Sequence, residues 1–197
     1  METENQSLST EQSLEIITKM IRQAQGNVKR NAIYLILWGL TIAAANLGMF
    51  ILMWMDYPRP YVVWLITLPA WIATIYISYK HGKESTMSTH LDRINALLWY
   101  SYGVVILAIV MFGFKINYQL NPIILLISAV PAFVSGVIIK FRPLTVGGIL
   151  FWVLGVVCFL SEGPWQYLIG AVAVTTGHLV PGLLLRNKTE TQDVQRT

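Results

Sequence analysis

Charged residues are scarce in this sequence and over long stretches absent. Asp, Glu, Lys and Arg make up 12% of the 197 residues, where soluble domains carry roughly 25%. A water-soluble protein of this length needs a charged shell around one core, and too few such residues are left here to build it. Cysteine is down to Cys158 alone, inside an apolar run, which excludes an intramolecular disulfide and a thiolate metal cluster. The opening METENQSLSTEQ is polar and acidic. It lacks the basic region and short apolar core of a cleaved signal peptide, so the first apolar run is expected to direct insertion itself. Also missing are a nucleophile with a base, paired carboxylates, a glycine-rich phosphate loop and any Walker or zincin motif. Classical catalysis, nucleotide-driven transport and a bound cofactor are therefore not expected.

Apolar residues are there instead: 55% of the chain, with a mean hydropathy of +0.56. Crossing roughly 30 Å of hydrocarbon takes about 20 residues of helix. Six runs approach or exceed that length: Asn31 to Met55, Tyr61 to Tyr79, Ile94 to Phe114, Pro122 to Ile139, Leu144 to Ser161 and Trp165 to Leu185. None contains Asp, Glu, Lys or Arg. One such residue at mid-span costs about 2.5–3.5 kcal/mol, so the complete exclusion predicts an all-α membrane protein, a bundle of six transmembrane helices. Trp54, Tyr57, Tyr61 and Trp64 at one set of ends, and Tyr34, Tyr76, Tyr79 and Tyr100 at the other, fall where interfacial aromatic belts sit.

Lysine and arginine set the expected orientation, because cytoplasmic loops hold their excess. With the N-terminus inside, twelve are cytoplasmic, and only Arg59 and Lys115 lie outside. Both termini are thus expected in the cytoplasm of a cell membrane, with a bacterial inner membrane as the working assignment. This placement accounts for the net charge of +4 without a nucleic-acid partner, and no basic stripe with interleaved aromatics points to one. The connecting loops, Asp56 to Pro60, Lys80 to Arg93, Lys115 to Asn121, Lys140 to Pro143 and Glu162 to Pro164, are too short to fold as domains. The organisation read from the chain is a cytoplasmic segment over 1–30, a membrane domain over 31–185 and a disordered polar tail over 186–197.

Within the first segment Leu14, Ile17, Ile21, Ala24 and Val28 recur at helical steps and predict an amphipathic helix. Ser9 with Gln12 reads as its capping box. Its Lys19, Arg22, Lys29 and Arg30 suit anionic headgroups, or its apolar stripe packs on the mouth of the bundle. Gly26 weakens the helix without breaking it, so one bent helix can continue into the first span.

Pairing the spans exposes a recurrence. Each odd span carries an apolar pair before tryptophan, at Trp38, Trp99 and Trp152, and each even span a proline before a small residue, at Pro69, Pro131 and Pro181. Within a pair the two lie 31, 32 and 29 residues apart. The expectation is three tandem helical hairpins related by an axis near the membrane normal, an arrangement that can enclose a central site. Each proline frees a carbonyl and marks a candidate kink.

His178 stands in Thr175-Thr176-Gly177-His178-Leu179-Val180-Pro181-Gly182 as the lone imidazole of the six runs, and an intramembrane ionisable group is by default a candidate for proton or ligand handling. Its expected hydrogen-bond partners are Thr175, Thr176 and Asn46. Asn46, midway along the first span, otherwise reads as interhelical glue. Gly39, Gly48, Gly148, Gly155, Gly170 and Gly177 are packing positions first. No metal is expected: His81 and His90 neighbour Lys80 and Lys83, lack zinc-ligand spacing, and Thr89 with Asp92 reads as a helix cap.

Three functional classes follow. The first is a non-enzymatic accessory, sensor or stress-related bundle that binds protein or lipid partners, or a second copy of itself, through the N-terminal helix and the small-residue faces. The second is a facilitative carrier or channel for a small neutral or lipidic solute, its path passing Trp38, Trp99, Trp152 and His178. The third is an intramembrane enzyme acting on lipid. A tryptophan-lined central cavity would favour transport, and a solid apolar centre the accessory role.

Overall fold

The computed structural model describes residues 10–84, 90–117 and 119–194, with side chains for 31–80, 93–117 and 119–188. Among the described residues the fold is all-helical. Helix α1 (Thr10–Trp54) is followed by a 3₁₀ segment (Pro60–Ile66) that leads into α2 (Thr67–Glu84). Next come α3 (His90–Met111), a 3₁₀ turn (Gly113–Ile116), α4 (Leu120–Ile138) and α5 (Arg142–Phe159). Helix α6 (Trp165–Val174), a π turn (Thr175–Leu179) and α7 (Val180–Val194) then run on as one continuous rod. Six helical stretches are long and apolar enough to cross a membrane, and they coincide with the six runs read from the sequence.

Helix α1 is unbroken over 45 residues, the continuation through Gly26 that the sequence reading allowed, because one glycine costs only about 1 kcal/mol inside a helix already anchored at one end. The capping residue Ser9 and the amphipathic stripe's side chains lie outside the described residues, as do Thr89 and the side chains of His81 and His90. Two differences elsewhere have local physical causes. At the other end, helix persists to Val194, where the sequence reading stops it at Leu185. Residues 186–194 contain neither glycine nor proline, and a helix nucleated in the bundle propagates through them. Pro69 sits in the first turn of α2, where its missing N–H breaks no intrahelical bond. It marks a 3₁₀-to-α junction and not a mid-helix kink, whereas Pro131 lies inside α4 and Pro181 directly follows the π turn.

Two tight turns reverse the chain in the same way. After α1, Tyr57 N donates to Leu52 O at 2.9 Å and Asp56 N to Met53 O at 3.2 Å; after α4, Phe141 N donates to Gly136 O at 2.8 Å and Lys140 N to Val137 O at 3.1 Å. Both are Schellman closures, which need a left-handed residue, supplied by Asp56 at φ 53 and Lys140 at φ 52. A side chain there is strained where glycine is not. Lys140→Gly is expected to raise stability by about 0.5 kcal/mol, the gain being partly offset by glycine's greater unfolded entropy. The midpoint of unfolding in mixed micelles checks this.

The helices pack unevenly. Helices α4 and α5 form the most extensive pair, while α1 lies along α6, the π turn and α7, and α5 packs on α6. Ala32, Leu35, Leu125, Ala129, Ala132, Leu144, Phe151, Cys158, Ala173 and Val174 form one continuous buried core among these four apolar rods. Outside it, α2 leans on α1 and α3 on α4, with no extensive interface between α2 and α3 among the described residues. In their apolar windows only 6% of α2 and its 3₁₀ lead-in, and 0% of α3, is buried, against 50% in the last rod.

Glycine sets the close approaches. A Cβ on Gly136 would fall 2.5 Å from Thr145 N, and one on Gly148 would fall 2.6 Å from Phe133 N. Helices α4 and α5 therefore meet backbone to side-chainless backbone at two places, one glycine from each helix. Such contacts are how helices gain dispersion energy in lipid, where burial of apolar surface drives little association.

Candidate functional site

The π turn is where the last rod departs from regular geometry. Val180 N donates to Thr175 O, five residues back, and the next residue, Pro181, has no N–H to give. In an α register the proline ring would collide with the carbonyl of Gly177; the wider turn relieves that collision. The Gly177 carbonyl faces Gly147 of α5, where a Cβ would come within 2.7 Å of its oxygen. On the opposite side Gly39 of α1 abuts the backbone of Leu179. Single π turns of this kind occur often at functional positions.

The turn directs His178 inward: the residue is 8% exposed. Its ring lies 4.8 Å from that of Phe151, edge to face at 64°, and 5.8 Å from that of Trp99 on α3, at 52°. His178 Nε2 is buried without a hydrogen-bond partner among the described residues. This corrects the expected partners. Thr176 spends its hydroxyl on Val172 O at 2.8 Å and Ala173 O at 3.2 Å within its own helix, and Thr175 supplies no bond to the ring. Asn46 lies against Gly170, eight residues or about 12 Å along the rod from His178.

Two of the three tryptophans of the recurrence hold equivalent bonds. Trp38 Nε1 donates to Thr74 Oγ1 of α2 at 3.0 Å, and Trp99 Nε1 to Ser135 Oγ of α4 at 3.0 Å, each 36 residues on. The first indole also packs edge to face on Trp71 at 5.0 Å. The Ser135 hydroxyl in turn donates to Asn95 Oδ1 at 2.6 Å, and Tyr102 meets Ser128 at 2.7 Å. These tethers are what fasten α3 to α4. Trp152 is different: it is 38% exposed and stacks on Phe133 at 5.4 Å, so the structure brings Trp99 to His178 and leaves Trp152 on the outer face. In a double-mutant cycle of Trp99→Phe with Ser135→Ala, the coupling is expected near 0.6 kcal/mol and below about 1.7 kcal/mol, the range for such bonds in lipid.

A second polar centre was not anticipated. Asn121 Nδ2 donates to Gln166 O at 2.6 Å, Gln166 Nε2 to Gln119 Oε1 at 2.9 Å and to Ser161 O at 2.8 Å, and the Cys158 thiol to Gln166 O at 3.4 Å. Asn46, 1% exposed, donates Nδ2 to Ile42 O at 2.9 Å and leaves Oδ1 unpaired beside Gly170. A Cβ on Gly170 would press on both asparagines, 2.5 Å from Asn46 Oδ1 and 2.6 Å from Asn121 Nδ2. Asn121 and Gln166, the one placed in a loop by the sequence reading and the other passed over within a span, thus join α4 to α6, whereas Asn46 bonds only its own helix and makes no interhelical hydrogen bond among the described residues, so the expected glue is not formed there. The available signal was a pair of amides, Asn121 and Gln166, at the starts of apolar runs, since a buried polar group is the informative kind.

Among the described residues no three His, Cys, Asp or Glu side chains gather as a metal site. The class defined by this geometry is an all-helical protein with six membrane-length helices, four forming a glycine-packed core and two standing outside it. Comparison with protein-family models, with curated proteins and with solved structures found no match for the chain.

Proposed function

We propose that the chain is a non-enzymatic accessory or sensor bundle, seated in a cell membrane with both termini in the cytoplasm, that engages a partner in the plane of the bilayer through α2 and α3. One observation carries the reading: the centre is filled by Phe151, Leu125, Leu144 and small residues, all buried, while the two helices outside it are almost wholly unburied. A carrier path past all three tryptophans receives less support, since Trp152 faces away from His178. The orientation rests on the split of basic residues, twelve against two.

The test has two readouts. Photocrosslinkers at Ile72 and Leu107, exposed on α2 and α3, are expected to give a discrete protein adduct in native membranes that a crosslinker at Val153 on α5 does not give. Liposomes holding the purified chain should release glycerol and urea no faster than empty ones. Absence of the adduct together with solute release would replace the accessory reading with the carrier. For orientation, reporters fused after Lys80, Lys140 and Arg186 should read cytoplasmic, and those after Arg59, Lys115 and Gly163 external; one reversed reporter refutes the arrangement.

A further inference from the structure

We infer that His178 is the polar contact of a binding site for a neutral amphiphile whose headgroup is a flat ring bearing a hydrogen-bonding oxygen, of the quinone or phenol class, entering from the lipid beneath α3. The inference goes beyond the accessory reading, because it concerns a site within the chain and not the outward faces of α2 and α3.

Several observations converge on it. A neutral imidazole has one donor and one acceptor, and a buried nitrogen without a partner is costly in hydrocarbon. His178 Nε2 is in that state, while the polar group nearest it by ring contact, Trp99 Nε1, is satisfied by Ser135. The walls beside the imidazole are two aromatic rings, Trp99 and Phe151, which favour a third ring stacked or edge-on. The apolar runs contain no Asp, Glu, Lys or Arg, so a charged headgroup would find no counter-ion within them, and His178 lies about 20 Å along the rod from Trp165 and about 12 Å from Arg186, the nearer end. That depth suits a molecule dissolved in the bilayer interior. Of the two walls, Phe151 is fully buried in the core, whereas Trp99 belongs to the helix with no buried residue in its apolar window. Access is therefore on the Trp99 side, and the Trp99–Ser135 bond holds the cover closed.

The experiment uses the full chain with ¹⁵N-labelled histidine in phosphatidylcholine nanodiscs, titrated with 2-decyl-1,4-benzoquinone and, separately, with 1,2-dioctanoylglycerol. The His178 signal, assigned by its loss in His178→Gln, is expected to shift saturably with the quinone while His81 and His90 stay put. Ser135→Ala, which unties the cover and leaves both walls, should tighten quinone binding about threefold. No shift with either compound overturns the site. An equal shift with dioctanoylglycerol overturns the ring-headed class, and unchanged affinity in Ser135→Ala overturns the role of Trp99 as cover.

Discussion

Gly148→Ala is expected to cost about 1–3 kcal/mol, the range for forcing a methyl into a packed interior, and to loosen the α4–α5 pair as a whole. The added Cβ would sit 2.6 Å from Phe133 N and 2.8 Å from Phe133 Cα. Those are backbone atoms of a neighbouring helix, so no rotamer change relieves the clash and the helices must separate. Gly136→Ala, with its Cβ 2.5 Å from Thr145 N, does the same from the other helix. Because either substitution alone pushes the same two rods apart, the double variant should cost less than the sum of the singles. Gly103→Ala is the control: nothing lies within 4 Å of its Cβ position, and a helical Gly→Ala change there should be neutral or stabilising by up to about 1 kcal/mol. Unfolding midpoints in mixed micelles separate the three. A Gly148→Ala variant as stable as the parent would mean the helices do not approach this closely.

Phe151→Ala is expected to cost about 3 kcal/mol, the low end of the range for truncating a buried phenylalanine, since lipid tails replace water as the alternative surroundings of the ring. Gly177→Ala should also destabilise, its Cβ colliding with Phe151 Cε2, while the next nearest atom, Cδ2, is 2.7 Å away. Together the two changes should compensate: removal of the ring opens the space that the new methyl enters. The double variant is expected to be at least 1 kcal/mol more stable than the sum of the singles predicts, the sign and size of coupling seen for directly touching residues. Additive costs would show that Phe151 and Gly177 are not in contact, and would remove one wall from around His178.

How far the fold was legible depended on what each residue type does alone. The six apolar runs could be read because absence of charge is a property of a segment and needs no partner. The glycines could be read as packing positions, but not which helix each admits: Gly148 takes Phe133 and Gly177 takes Phe151, and only the three-dimensional arrangement pairs them. His178 was legible as an exception to apolar surroundings, yet its neighbours were sought among polar residues when they are the rings of Trp99 and Phe151. A threonine in a helix can bond its own preceding turn, as Thr176 does, and that option removes it from interhelical work. Asn121 and Gln166 were missed because each sits where a run begins, and a sequence boundary cannot say whether a helix end is buried.

The π turn has a consequence for the numbering of the last rod. A turn of this type is an α-helix into which one extra residue has been accommodated without unwinding the remainder. Deleting a single residue from 175–179 would restore regular spacing, and the segments on either side would keep their present faces. A deletion in the stretch 165–174 would rotate all that follows by about 100° and carry Gly182 away from Ile36, which its Cβ position approaches to 3.0 Å. The tolerated deletion has one condition. Once spacing is regular, the ring of Pro181 meets the carbonyl four residues before it, so the shortened rod is stable only when Pro181 is replaced as well. The surplus residue and the proline thus form a matched pair, each tolerated by the rod because of the other.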